Sequence, residues 1–312
     1  MAVTAPAAAR ADFIQRLDSH APTAQSDRMV ATPSALATAP ASHPALRALL
    51  SGPYPAVMGV LNVTPDSFSD GGQFLAPERA LAQARRLIAE GADIIDVGAE
   101  STRPYGGAQP VSAEMELRRL QPVLADIVSL GVPVSIDSMK PDVVAWALDT
   151  GAVIANDVWG LQRNSGMAEL LAARNAPIIV MHNRDRANPT IDIMADIAAF
   201  FARSLDIAEK AGIPRENIVL DPGIGFGKTQ EQSITALARL NELGSYGLPL
   251  LVGASRKLFI ASVSPSEPQQ RLGGSIAAHL IAAQRGAQIV RTHDVAETVQ
   301  ALRVASAIEA AQ

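Results

Sequence analysis

Eight short apolar runs, each ending in a polar or charged residue, recur from residue 56 onward: AVMGVLN, ADIIDVGAE, PVSID, AVIAND, PIIVMHN, IVLD, PLLVGAS and IVRTH. Their apolar stretches are continuous rather than alternating, so strands built from them need both faces covered. That is the pattern of a parallel sheet flanked by helices. Between the runs lie helical periodicities over 78–90, 112–130, 140–150, 166–174, 190–211, 230–244, 273–285 and 295–309. Ser112 is placed to cap the second of these, and Pro122 predicts a kink within it. Eight strand–helix units in succession favour closure into a (β/α)8 TIM barrel of the α/β class, and no G-x-G-x-x-G follows the first strand to argue for an open dinucleotide-binding sheet. In such a barrel the carboxyl ends of the strands form one mouth, which gathers the polar run-ends into a single site.

At 312 residues the chain fits one barrel of about 250 residues plus an extension. Residues 53–312 are assigned to the catalytic barrel, and residues 1–52, rich in Ala and Pro, are predicted to be a flexible extension. A hydrophobic fraction of 48% supports a large core, while a formal net charge of -5 gives no electrostatic footprint for nucleic acid. The absence of cysteine excludes disulfides, thiolate metal ligands and cysteine nucleophiles, and is compatible with a cytoplasmic location. No apolar run reaches the roughly 18 residues of a membrane span, and MAVTAPAAARADF is not a secretory signal.

The run-ends carry the chemistry. Asp137 closes one run, Asn156 and Asp157 together another, Asp221 a third, and Lys257 follows GASR at the end of a fourth. One Asp after a strand is ordinarily a helix cap, but four such endings in one barrel point to a ligand. Carboxylates beside an amide suit a flat molecule with adjacent N–H donors and a carbonyl, such as the aminopyrimidinone edge of a pterin or guanine. Arg291 and His293 share one face of the last strand and suggest an anionic group at the rim; the alternative is an Arg–carboxylate pair with a hydrogen-bonded His. Ser255, Arg256 and Lys257 add positive charge beside them, with Lys257 read as a charged donor rather than a Schiff-base lysine. A departing diphosphate would call for a Mg2+ held mostly by phosphate oxygens, to which Asn62 could add one protein oxygen. Phe226, in the glycine-rich DPGIGFGK, is a candidate wall for a flat ligand, whereas His182 reads as a hydrogen-bonded structural residue.

The segments MGVLNVTPDSFSDGG, DVGAESTRP, SIDSMKP, NDV, MHN, LDPGIGFGK, GASRK and RTHDV, in this order, resemble those of the dihydropteroate synthases. The resemblance runs from about residue 56 to the end. It implies transfer of a (7,8-dihydropterin-6-yl)methyl group from its diphosphate to 4-aminobenzoate in folate biosynthesis, with Mg2+, a homodimer and susceptibility to sulfonamides. By the same resemblance Asp137, Asn156, Asp221 and Lys257 hold the pterin, with Met181 and Phe226 against its ring. Asn62, Arg291 and His293 bind diphosphate and metal, and Thr102, Arg103, Ser255 and Lys257 surround 4-aminobenzoate. The implied mechanism is dissociative, with Asp137, Lys257, Arg291 and His293 as the catalytic groups. Corrinoid-dependent methyltransferases share the pterin-binding barrel, but they need no diphosphate site such as Asn62 and the RTH ending provide. Three departures stand out: Tyr105 and Gly106 read as an insertion after STRP, Ala99 replaces a frequent Gly, and Trp159 replaces a frequent Arg.

Overall fold

A computed structural model describes residues 43–64, 76–100 and 111–311. Its eight strands form one closed barrel in sequence order, β1-β2-β3-β4-β5-β6-β7-β8, and every neighbouring pair is parallel, including β8 on β1. The strands are β1 Ala56–Asn62, β2 Ile94–Gly98, β3 Val134–Asp137, β4 Ile154–Asp157, β5 Ile178–Met181, β6 Ile218–Asp221, β7 Leu250–Val252 and β8 Ala287–Thr292. β2 through β7 are buried along their whole length, as continuous apolar runs require. Helices between successive strands cover the outside, and among the described residues none is long and apolar enough to cross a membrane.

The helices follow the sequence reading with instructive differences. Ser112 caps its helix by accepting from the Met115 N–H, as expected. At Pro122 the chain does more than kink: one helix ends at Leu120 and another begins at Leu124. Proline there lacks the N–H that would continue the ladder, and its ring crowds the preceding turn. The pattern over 230–244 becomes an α-helix, Gln230–Ala238, followed by a 3-10 turn, Leu240–Tyr246. A short helix, Leu258–Val263, follows the GASRK segment, where sequence periodicity had given no signal.

The extension boundary at residue 52 requires correction. Residues 44–49 form a helix with Pro44 at its first position and the His43 ring as its cap. Leu46 and Leu49 are buried against Ala56, Met58, Ile94, Ile154, Ile179, Val219, Leu251 and Ile289, which lie toward the starts of the strands. The helix closes the amino-terminal end of the barrel, and burying one such leucine stabilises the fold by about 1.5–3 kcal/mol. The backbone N–H of His43 adds a hydrogen bond to Asn217 Oδ1 just before β6. The barrel therefore extends at least to residue 43, while residues 1–42 lie outside the described residues, as do Thr102, Arg103, Tyr105 and Gly106.

Candidate active site

Side chains two apart on a strand share a face. The apolar layer above the closing helix comes from Ile94, Ile154, Ile179, Val219 and Ile289. Two residues further along each of these strands stand Asp96, Asn156, Met181, Asp221 and Arg291. The barrel interior is thus apolar below and polar above, and the polar layer contains four of the expected ligand residues, joined by Asp137 at the end of β3.

Arg291 organises this layer. Its Nε donates to Asp96 Oδ2 at 2.6 Å and its Nη2 to Asp137 Oδ2 at 2.9 Å, while Asn156 Nδ2 reaches the same Asp96 oxygen at 3.1 Å. The Arg–carboxylate alternative weighed for Arg291 is therefore the arrangement in this structure. Asp96 was not recognised from sequence, although an Asp in the middle of an apolar strand cannot be a helix cap and so was a usable signal. The other oxygens, Asp96 Oδ1 and Asp137 Oδ1, are buried and receive no donor from the described residues. Burial, reinforced by the charge of Asp96 and opposed by that of Arg291, pushes Asp137 up to about 7. Asp221 is raised to about 6 by burial, against the Gly223 N–H bond and the charges of Lys257 and Lys228. Buried carboxylates with raised pKa values and unmet acceptor capacity are the mark of a ligand site.

Around the mouth, Ser255 Oγ lies 3.0 Å from His293 Nδ1 and accepts from the His293 backbone N–H. Lys257 Nζ sits 4.0 Å from the centre of the Phe226 ring, so these two pterin candidates are adjacent. Met181 is buried at the end of β5, and Asn62 is half-buried at the end of β1. Arg256 differs from expectation: its guanidinium forks onto Asp294 at 3.0 and 2.5 Å, which neutralises its charge instead of adding it to the rim. Asp157 is also removed from the ligand set. Its two oxygens accept the backbone N–H groups of Trp159 and Leu161 at 2.9 and 2.7 Å and so fix the turn after β4. Trp159 itself lies beneath the Arg163 guanidinium, 3.8 Å from the ring centre. Ala99 is fully buried, and its carbonyl accepts from Arg119 at 2.6 Å.

The DPGIGFGK segment folds tightly over β5. A Cβ on Gly223 would fall 2.0 Å from the His182 carbonyl oxygen, and one on Gly227 2.5 Å from that of Arg184; both glycines have positive φ. Only glycine permits this approach. Asp221 Oδ1 accepts the Gly223 N–H at 2.7 Å, and Lys228, a second residue not foreseen, is buried beneath the loop. His182 has the structural role read from sequence, bonded to Asp196 and Lys228.

For a metal, the described residues contain no group of three or more His, Cys, Asp or Glu able to hold an ion. Asn62 offers one amide oxygen at the mouth. That donor set suits a Mg2+ that retains water and substrate oxygens and does not suit a protein-caged ion.

A family of pterin binding enzymes matches residues 58–293. The dihydropteroate synthase of Bacillus subtilis is 42% identical over 253 residues, covering 81% of this chain and 88% of that protein. A probable bifunctional folylpolyglutamate synthase/dihydropteroate synthase of Haloferax volcanii is 47% identical over 258 residues, of which this chain spans only 30% of the longer protein's length. Among solved structures, the Xanthomonas albilineans dihydropteroate synthase with 4-aminobenzoic acid superposes with a TM-score of 0.80 at 44% identity, covering 84% of this chain and 94% of that one. The same organism's enzyme in complex with 7,8-dihydropteroate gives 0.76 at 42% identity, covering 84% and 95%. A Yersinia pestis dihydropteroate synthase with a sulfonamide drug gives 0.76 at 41% identity, covering 83% and 95%.

Proposed function

This chain belongs to the dihydropteroate synthase family of pterin-binding enzymes, and from that membership we propose how its own residues carry out the reaction. The activity is the condensation of (7,8-dihydropterin-6-yl)methyl diphosphate with 4-aminobenzoate, giving 7,8-dihydropteroate and pyrophosphate in folate biosynthesis. The chain binds pterin, 4-aminobenzoate and sulfonamides. The observation that supports the site assignment best is the pair of buried, unmet oxygens on Asp96 and Asp137, which meet the N–H groups of a pterin beside Asn156 and Asp221.

In this reading the pterin enters the polar layer with its ring against Met181 and Phe226 and with Lys257 donating to its edge. The bond between the pterin methyl carbon and the diphosphate oxygen breaks first, and its electron pair leaves with pyrophosphate. Asp137 stabilises the cation left on the pterin, while Arg291 and His293 stabilise the departing anion. Each such contact is worth roughly 2–4 kcal/mol at the transition state. The amine of 4-aminobenzoate, held beside Ser255 and Lys257, then attacks the methylene carbon and loses one proton, so no strong base is needed. Thr102 and Arg103, outside the described residues, are assigned to the same arylamine by resemblance.

Mg2+ is proposed as the cofactor, with Asn62 as its protein ligand; when bound it neutralises charge on the diphosphate. A homodimer is proposed on an apolar face formed by the helices Gln230–Ala238, Leu258–Val263 and Leu272–Gln284, where Ile234, Val263 and Ile281 are 39%, 65% and 40% exposed. A cytoplasmic location is proposed from membership of this biosynthetic enzyme family, and a chain with no cysteine is compatible with it. The direct test of function supplies purified protein with the pterin diphosphate and Mg2+. Dihydropteroate is expected only when 4-aminobenzoate is added, and no product at saturation would overturn the assignment.

A further inference from the structure

Lys228 is 2% exposed, yet its ammonium contacts no carboxylate among the described residues. Its Nζ donates to the Gly223 carbonyl at 2.9 Å and the Phe226 carbonyl at 3.1 Å, and lies 2.6 Å from His182 Nδ1. An ammonium has three N–H donors, and here all three are matched to acceptors. The third match depends on the imidazole tautomer. His182 Nε2 lies 3.0 Å from Asp196 Oδ2, and Asp196 is an anion paired with Arg184 at 2.6 Å, so Nε2 carries the proton and Nδ1 presents a lone pair. Burial and the nearby charge of Lys228 push His182 down to about 3, which keeps the ring neutral. A buried lysine without an ion-pair partner is costly, and burial lowers Lys228 to about 7 against the attraction of the more distant Asp221 and Asp196.

Two of the three acceptors belong to the loop that supplies the proposed pterin contacts. The Gly223 N–H donates to the Asp221 carboxylate, Phe226 follows three residues later, and the Phe226 N–H donates to the Gly223 carbonyl at 3.0 Å. The third acceptor, His182, directly follows β5, and its own backbone N–H donates to the Asp221 carbonyl at 2.8 Å. Lys228 thus ties the loop to itself and to the neighbouring strand at one nitrogen. The glycines permit the tight path but also leave the loop free to take others, so something must hold it.

We propose that Lys228 is a positioning residue of the reaction, whose ammonium locks the Asp221–Phe226 turn in the geometry that receives the pterin. This rests on the pterin reading of the site above. Lys228 touches no reacting atom; it acts through Asp221 and Phe226, and a neutral side chain of the same length would fill its space while taking a donor from the Phe226 carbonyl and the His182 lone pair and leaving the Gly223 carbonyl only the Phe226 N–H.

The test is Lys228→Met in the full chain, with steady-state kinetics per folded site and calorimetry of the non-phosphorylated pterin alcohol. A merely structural lysine would lower the melting temperature and the folded fraction but leave Michaelis constants of the folded enzyme unchanged. A positioning role raises the KM for the pterin diphosphate and the Kd for the alcohol by about tenfold or more, with the KM for 4-aminobenzoate at saturating pterin held within about twofold. The loss should shrink in a Phe226→Ala background, because the two residues act through one turn. Should Lys228→Met not fold, His182→Asn, which alters one of the three Lys228 acceptors together with the Nε2 bond to Asp196, is expected to raise the same two constants about threefold. Wild-type pterin constants in either folded variant, or fully additive effects with Phe226→Ala, would overturn the proposal. Because alcohol binding is read independently of turnover, a wild-type protein that binds pterin but makes no dihydropteroate counts against the reaction and not against Lys228.

Discussion

Arg291 and Asp96 sit on strands that are not neighbours, β8 and β2, yet the guanidinium Nε and the carboxylate Oδ2 are 2.6 Å apart across the mouth of the barrel. The same side chain reaches Asp137 on β3, so one cation compensates two buried anions. Arg291→Ala should therefore do two things. Urea denaturation should show a loss of about 3–5 kcal/mol, the consequence of removing one partner from a buried ionic cluster. In the folded fraction, the diphosphate substrate should weaken more than the pterin alcohol, because only the diphosphate also needs the anion site; equal losses would remove Arg291 from that site.

Pterin binding should depend on pH in a direction set by the carboxylates. In the ligand-free barrel Asp137 is raised to about 7 and Asp221 to about 6, mainly by burial. N–H donors from the ligand favour the charged forms, so binding lowers both values and releases protons. Affinity for the pterin alcohol is thus expected to fall as pH drops through about 7 and then about 6, while on the alkaline side loss of the Lys228 proton, at about 7, opposes any further gain. Calorimetry from mildly acidic to mildly alkaline pH, in buffers of different ionisation enthalpy, reads both the trend and the protons; a flat profile contradicts it.

Asp221→Ala removes an acceptor from the pterin and from the Gly223 N–H together. The affinity for the pterin alcohol should drop by about 2–4 kcal/mol, measured by calorimetry. Unchanged affinity would place the pterin elsewhere.

Leu46→Ala opens a cavity under the barrel, separated from the polar layer by the apolar layer of Ile94, Ile154, Ile179, Val219 and Ile289. A fully buried leucine truncated to alanine costs about 2–5 kcal/mol, so the urea midpoint should fall while kcat and both Michaelis constants of the folded enzyme stay near wild type. A change in the pterin KM without loss of stability would contradict the separation of the two layers.

Ile281→Glu tests the proposed dimer. Sedimentation should give a dimer for the wild type and a monomer for the variant, since a charge in the centre of an apolar interface is left without a partner. A monomeric wild type at micromolar concentration rejects the assignment.

Much of this was readable in the amino-acid order, for a physical reason. Asp137, Asn156, Asp221 and Arg291 interrupt apolar strands, and strand alternation alone then brings them together once the barrel closes. What stayed hidden depends on tertiary context. The six residues 44–49 are too few to display periodicity, and Leu46 acquires meaning only with an open barrel end above it. Lys228 follows a glycine-rich turn, where a charged residue is ordinarily solvated, and nothing local announces its burial. Arg256 looked like rim charge because its partner, Asp294, lies 38 residues away. Pro122 was recognised as a disturbance, but whether a proline bends or ends a helix depends on how well the two halves pack separately.

The layering inside the barrel also works as a depth gauge. A heteroatom that descends as far as Asp96, Asn156 and Asp221 finds partners; one residue pair lower it meets Ile94, Ile154 and Val219 and finds none. A molecule inserted along the axis is therefore measured from below, by the energy of stranding its polar edge against hydrocarbon. Compounds longer in that direction must project their excess outward past Lys257 and His293. Variation among inhibitors is then felt at the mouth, while the end buried in the barrel is held to a single length.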